Sequence, residues 1–254
     1  MKISDLLDDA IKFPLSNKKK FLGFGGIYLV YLAIIVAFTF LYLYFNENVL
    51  IISIGGILAL VVLLILSGYQ LRTIKESIEG YQEPPEFNNW AEMFINGFKL
   101  GLTELIYLIL PVLFIFAGLI PIIESMVNQS IPNFGTGSLV LLVIGMALFI
   151  IYAFISPIIQ SNLAYKGFKS AFNIPDILGR ISTYGKGKYF LVIILMMMIG
   201  LAIGVLAGII QIALDMAIPL VGQFITTLVF TPFIILFRSR AVALVYRETL
   251  ETVE

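Results

Sequence analysis

The chain has no cysteine, no histidine and one tryptophan. Without thiols and imidazoles it has no route to disulfides, thiolate nucleophiles, imidazole acid–base catalysis, haem ligation or the usual zinc sites. Charged residues are sparse at 13% of the chain, whereas 60% is hydrophobic and the mean hydropathy is +1.02. Soluble domains are about 45–50% apolar, so this composition points to a bilayer. Catalytic signatures are lacking too. The stretch 179–187 (GRISTYGKG) has neither the spacing of a phosphate loop nor its Ser/Thr after lysine. Ser16 and Lys19 fit S-x-x-K, but the partner motifs of that chemistry are missing. No G-x-S-x-G, H-E-x-x-H or dinucleotide fingerprint occurs. Basic residues are spread along span ends, which leaves no footprint for nucleic acid. The expectation is a protein that is not an enzyme, with no cofactor and no metal site.

What the chain does have is hydrophobic length. Six apolar runs, near 22–45, 49–69, 100–123, 138–159, 189–214 and 218–237, approach or exceed the roughly 20 residues of a membrane-crossing helix. All 16 Lys and Arg fall in the N-terminal segment, the second and fourth connections or the C-terminal tail. The other three connections carry none. By the positive-inside rule both termini face the cytoplasm, and the protein is multi-pass in the cell membrane. The first run is too long, and its N-terminal flank too acidic, for a cleaved signal peptide, so it is expected to remain as an anchor.

The stretch 87–123 organises this reading. It starts as an amphipathic segment, with Phe87, Ala91, Phe94, Ile95, Phe98 and Leu102 on one stripe, and passes without a break into an apolar run. Asn88 or Asn89 can cap it, and Trp90 suits the headgroup zone. The pattern predicts a helix lying in the membrane plane. Looser copies begin near Ile3, whose stripe is Ile3, Leu6, Leu7, Ala10 and Ile11 with Ser4 as cap, and near Pro175, with Asn173 or Asp176 at the start. The predicted fold is therefore all-α: one polytopic domain over 1–254. Its six transmembrane helices form three hairpins, each preceded by a cytoplasmic-side interfacial amphipathic helix, in a weak threefold repeat over 1–80, 84–169 and 173–254.

Polar residues inside the spans are few. Glu104 lies just within the third span, where an ionisable group is expensive. It either snorkels outward or pairs with Lys99, or else joins Gln160, Asn162 and Arg238 in a polar pathway at comparable depth. Pro157 is expected to kink the fourth span and free carbonyls that need partners. Gly200, Gly204 and Gly208 form a small-residue ridge, expected to pack tightly within the chain in preference to joining two copies. Glu47, Glu124 and Asp215, one in each outer connection, read as tolerated loop acids more than as a cation-attracting ring. Glu76, Glu79, Glu83 and Glu86 lack the glycine-bearing spacing of a calcium loop and read as solvated. The connection 128–137 is rich in Asn, Gly and Pro and reads as a turn.

The run leaving the second span contains Gly68, Tyr69, Arg72, Gly80, Pro85, Phe87, Trp90, Phe94, Gly97 and Lys99, as G-Y-x-x-R, a short linker, F-x-x-W and F-x-x-G-x-K. It resembles the hallmark of an uncharacterised family of six-span integral membrane proteins, mainly archaeal with some bacterial members. The resemblance implies a prokaryotic cell membrane and marks the elbow formed by Tyr69, Arg72, Phe87, Trp90 and Lys99. It carries over no activity. The favoured function is a non-catalytic module that organises the bilayer or recruits a protein partner or a second copy. The alternative is a carrier or channel for a small solute or ion that uses the polar inner ends.

Overall fold

In lipid an apolar run must satisfy its backbone internally, and a helix does so residue by residue. The computed structural model describes residues 1–128 and 135–251, and among them every regular element is helical. The turn expected over 128–137 lies largely outside the described residues. A short α1 (Ile3–Lys12) and a 3₁₀ turn (Phe13–Leu15) lead into α2 (Lys18–Tyr44), which forms a hairpin with α3 (Val49–Ile78). The second hairpin pairs α4 (Trp90–Val127) with α5 (Thr136–Lys166). A 3₁₀ turn (Phe168–Phe172) and the short α6 (Ile174–Tyr184) precede α7 (Lys186–Ala217). The return span is α8 (Val221–Ile225), a π-helical turn (Thr226–Phe230) and α9 (Thr231–Glu251) in succession. Six helical stretches are long and apolar enough to cross a membrane, so this is a multi-pass membrane protein.

The spans overshoot their apolar runs at the end that carries both termini, called here the terminal end. Helix α4 has 38 residues, about 57 Å at 1.5 Å per residue, against a hydrocarbon core of about 30 Å. The in-plane helix expected at its start is not a separate element. Helix α4 begins at Trp90 and runs on through Gly97 and Gly101, because no proline interrupts it before Pro111. The first short helix differs from expectation in another way. Leu6 and Ala10 are fully buried, Ile3 and Leu7 partly so, and α1 packs on α9, so most of its apolar stripe is covered by protein and only Ile11 is left exposed. Helix α6 has Ile177 buried while Ile174 and Leu178 stay exposed.

Local chemistry explains most boundaries. The Asn17 side chain accepts from the Lys20 amide, Asn48 from Leu50 and Asn173 from Asp176, which caps α2, α3 and α6. Ser4 does not cap α1; its hydroxyl bonds the neighbouring Asp5 carboxylate. Asn89 precedes α4 in the left-handed region (φ 53) with no side-chain cap bond. Pro157 leaves the Ala153 carbonyl without its amide donor, and the Ser156 hydroxyl supplies one at 3.2 Å.

Helix α3 is the hub, touching α2, α4, α5 and α9. The core lies at the terminal end, where Ile74, Ile158, Ile177, Val192, Ala241 and Val245 are all at most 1% exposed. Toward the hairpin turns large apolar side chains such as Phe40, Leu113, Val143 and Ile209 are exposed, as they must be where lipid is the solvent.

Candidate functional site

The elbow is built by side chains that reach back across it. The Tyr69 hydroxyl donates to the Pro85 carbonyl at 2.9 Å, and its ring stacks on Phe87 at 4.5 Å and lies against Phe24. Arg72 spans the gap below, donating to the carbonyls of Glu86 (3.1 Å) and Asn88 (2.9 Å), to the Asn88 side chain (2.8 Å) and to Glu92. One planar guanidinium thus satisfies carbonyls that the incoming loop would leave open. Trp90 stacks on Phe87 and is half exposed, while Lys99 lines a charged hollow with Arg72, Lys75, Glu76 and Glu92. Glu83 and Glu86 pair with Lys20. Hydrogen bonds from Asn17 and Lys20 hold the Glu83 carboxyl below the usual carboxylate value. The elbow is therefore a structural clamp. Tyr69→Phe should lower stability by about 1–2 kcal/mol, because the Pro85 carbonyl loses its donor, and detergent unfolding of the two proteins checks it.

A second polar group gathers where α3, α4, α5 and α9 meet. Gln160, 3% exposed, donates from Nε2 to Glu104 Oε1 at 3.1 Å, and Gln70 donates to Gln160 Oε1 at 3.4 Å. Glu104 is not within ion-pair reach of Lys99; Gln160 is its partner. The Arg238 guanidinium acts on Glu104 through space from beyond ion-pair distance. The Tyr152 ring stacks 5.8 Å from that of Tyr107. Of the four pathway residues expected, the structure brings Glu104 and Gln160 into contact and Arg238 near them.

Asn162 belongs elsewhere. Its amide donates to Asp176 (2.9 Å) and to the Ser170 carbonyl, and its Oδ1 accepts from the buried Tyr246 hydroxyl at 2.8 Å. Asp176 also takes Lys166 at 3.0 Å and Arg180 at 3.2 Å. Burial alone would push its carboxyl up, but the bonds from Lys166 and Asn162 and the charge of Arg180 outweigh that and hold it below its ordinary value. A depressed folded-state value means stability that is present above the unfolded pKa of about 3.9 and is lost as pH falls through the folded one. Asp176→Asn should therefore cost about 1 kcal/mol at pH 7 after solvent screening, and the gap from the parent should narrow as pH falls below that unfolded value and through the lower folded one. Unfolding midpoints measured from pH 7 downward check this.

Arg240 was not a candidate from the sequence, yet it pins three segments. It is 1% exposed and donates to both oxygens of Asp9 at 2.6 and 3.1 Å, to the Tyr81 carbonyl at 2.6 Å and to Gln82 at 2.8 Å. The signal that could have found it is the spacing of two arginines about half a turn apart, Arg238 and Arg240, which must point to different surroundings.

The glycine ridge corrects another expectation. A Cβ placed on Gly200, Gly204 or Gly208 would meet nothing within 4 Å, so the ridge is not packed inside this chain. Close packing occurs at Gly68 and Gly97, where a Cβ would sit 1.7 Å from the Met93 and Leu64 carbonyl oxygens respectively. Asp215 caps the turn before α8 by accepting from the Gly222 amide. Among the described residues no three acids gather to hold a metal ion, those of the outer connections and of the elbow included.

The family model described as protein of unknown function (DUF4013) matches residues 51–212, more than half of the chain and inclusive of the elbow. An uncharacterized protein of Methanocaldococcus jannaschii, MJ1189, is 30% identical over 168 residues, covering 65% of this chain and 55% of its own length. The chain thus spans about half the length of that curated relative. No solved structure matches the chain.

Proposed function

The chain belongs to the DUF4013 family of unknown function, and from that premise we propose that it is a non-catalytic membrane module whose terminal end faces the cytoplasm of a prokaryotic cell. There it organises the bilayer or presents a pre-formed surface to a protein partner. The observation that carries this reading is the closure of the polar residues on one another. Glu104 is held by Gln160, while Asn162 is drawn into the Tyr246–Asp176 staple, so among the described residues these polar groups do not join in one continuous line. The clamps at Tyr69, Arg72 and Arg240 make the terminal layer rigid, and a rigid surface loses less entropy when a partner docks.

A carrier is the second reading. It is favoured by the π-helical turn in the last span, followed by Pro232, and by the Gln211–Gln223–Thr227 hydrogen bonds beside it. One experiment separates the two. Single cysteines replace Glu104, Gln160 and Asn162 in the cysteine-free chain, with Glu47 and Lys75 as controls for the two sides, and a membrane-impermeant maleimide is applied from each. The module reading expects no labelling of position 104 from the side that labels position 47. Labelling there would mean a water path through most of the bilayer and would replace the module with the carrier.

A further inference from the structure

Helices α5 and α7 touch near the terminal end, where the Phe154 and Phe190 rings stack at 4.5 Å and the Tyr189 hydroxyl donates to the Phe154 carbonyl at 2.6 Å. Toward the hairpin turns they leave a crevice of about 360 Å³, closed behind by α9. Its walls are apolar, with Phe149, Ala153, Ile193, Met197 and Ile234 prominent, and Gly200 opens its rim. Arg238 and Tyr152 also line it. Arg238 is exposed and, among the described residues, has no ion-pair partner. Glu104 lies in its field but beyond pairing distance and already accepts from Gln160.

Depth decides what fits. Arg238 follows Val221, the start of the last span, by seventeen residues, or roughly 26 Å of helix, against a hydrocarbon core of about 30 Å. That sets the guanidinium at the headgroup level of the leaflet on the terminal side, with the apolar crevice extending from it into the hydrocarbon. An unpaired arginine at this boundary is stabilised by an anion that can accept its forked donors, and a phosphate does so. We propose that the crevice is a binding site for one acyl lipid with an anionic phosphate headgroup, its phosphate on Arg238 and a chain running past Met197 and Gly200. The open glycines Gly204 and Gly208 continue that track along α7.

The site stands apart from the sealed-module reading. Outer-face labelling of position 104 would end that reading and leave the lipid site untouched. The test uses tryptophan fluorescence in vesicles. Trp90→Phe removes the native tryptophan, and Phe149→Trp places a reporter in the crevice; Leu201→Trp, on an exposed face of α7, is the control. Phosphatidylcholine vesicles are doped with phosphatidylglycerol or phosphatidylcholine brominated on the acyl chains.

The reporter at 149 should be quenched about fivefold more effectively by the brominated anionic lipid than its bulk share predicts, the effect of one basic contact at a membrane surface. The control should show no headgroup preference. Arg238→Gln should abolish the preference and Arg238→Lys should keep part of it. Glu104→Gln should raise it by removing the competing carboxylate. If Arg238→Gln fails to fold, the Glu104→Gln and control comparisons still decide. Equal quenching by both lipids at position 149, or a preference that survives Arg238→Gln in a normally eluting protein, overturns the proposal. So does full-yield dimer cross-linking through Gly204→Cys in vesicles, which would assign the face to a second copy.

Discussion

Arg240→Met should lower the unfolding free energy by roughly 3 kcal/mol, while Arg238→Gln two residues earlier should change it by less than about 0.5 kcal/mol. The difference follows from what each side chain touches. Arg240 is buried with four hydrogen bonds to Asp9, the Tyr81 carbonyl and Gln82, and it sits over the Phe13 ring at 5.0 Å. Removing it strands a carbonyl, an amide oxygen and a carboxylate at once. Asp9 is 36% exposed, so water recovers part of the loss and the cost stays at the low end for a broken buried pair. Arg238 has only the crevice and its surroundings to lose. Thermal unfolding in detergent reads both. On the scale of soluble chains of this size, the Arg240 variant should melt roughly 6–12 °C earlier. Asp9→Asn should cost clearly less than Arg240→Met, because Arg240 keeps Tyr81 and Gln82. Protease should also cut near α1 sooner in the Arg240 variant, since this guanidinium joins the buried Leu6 and Ala10 and the Met1–Glu248 ion pair in holding α1 on α9. Equal melting of the Arg238 and Arg240 variants would mean that the buried fork contributes nothing.

That contrast shows what the sequence can and cannot tell. The spans were legible because twenty apolar residues in a row have one solution in lipid. The cap of α6, narrowed to Asn173 or Asp176, and Pro175 in its first turn were legible too, since each is set by neighbours a few positions away, whereas the elbow was marked only by resemblance and its clamp was not legible. What covers an apolar face was not legible. The stripe Leu6–Ala10 reads the same whether lipid or α9 lies against it, and the structure puts α9 there. Arg240 meets Asp9 across 231 positions, a pairing that no local pattern encodes. Asn162 and Gln160 sit two residues apart on one helix, so depth alone made them companions. Helical geometry turns them to different neighbours, Gln160 to Glu104 and Asn162 to Tyr246. The glycines misled for a related reason. Spacing marks a ridge that permits close approach, but not whether another helix uses it.

Gly68→Ala and Gly97→Ala should each cost more than about 3 kcal/mol and lower the yield of folded protein, whereas Gly204→Ala and Gly208→Ala should be neutral or stabilise by up to about 1 kcal/mol. At Gly68 and Gly97 the new methyl would lie 1.7 Å from a backbone oxygen, well under the 3.0 Å that real Cβ contacts respect. A carbonyl in a helix cannot rotate away as a side-chain tip can, so α3 and α4 must separate by more than an ångström along their whole crossing. Their movement would pull Tyr69 from Pro85 and Arg72 from Asn88, so a single methyl should disable the elbow clamp as well. The two substitutions should be far from additive, because once the helices have parted the second methyl meets an opened gap. At Gly204 and Gly208 a methyl meets nothing and only gains helix propensity. Folded yield after detergent extraction, followed by melting of what survives, checks all four. If Gly204→Ala proved as damaging as Gly68→Ala, the face of α7 would have to be packed against a partner in the membrane, and the ridge would be an interface after all.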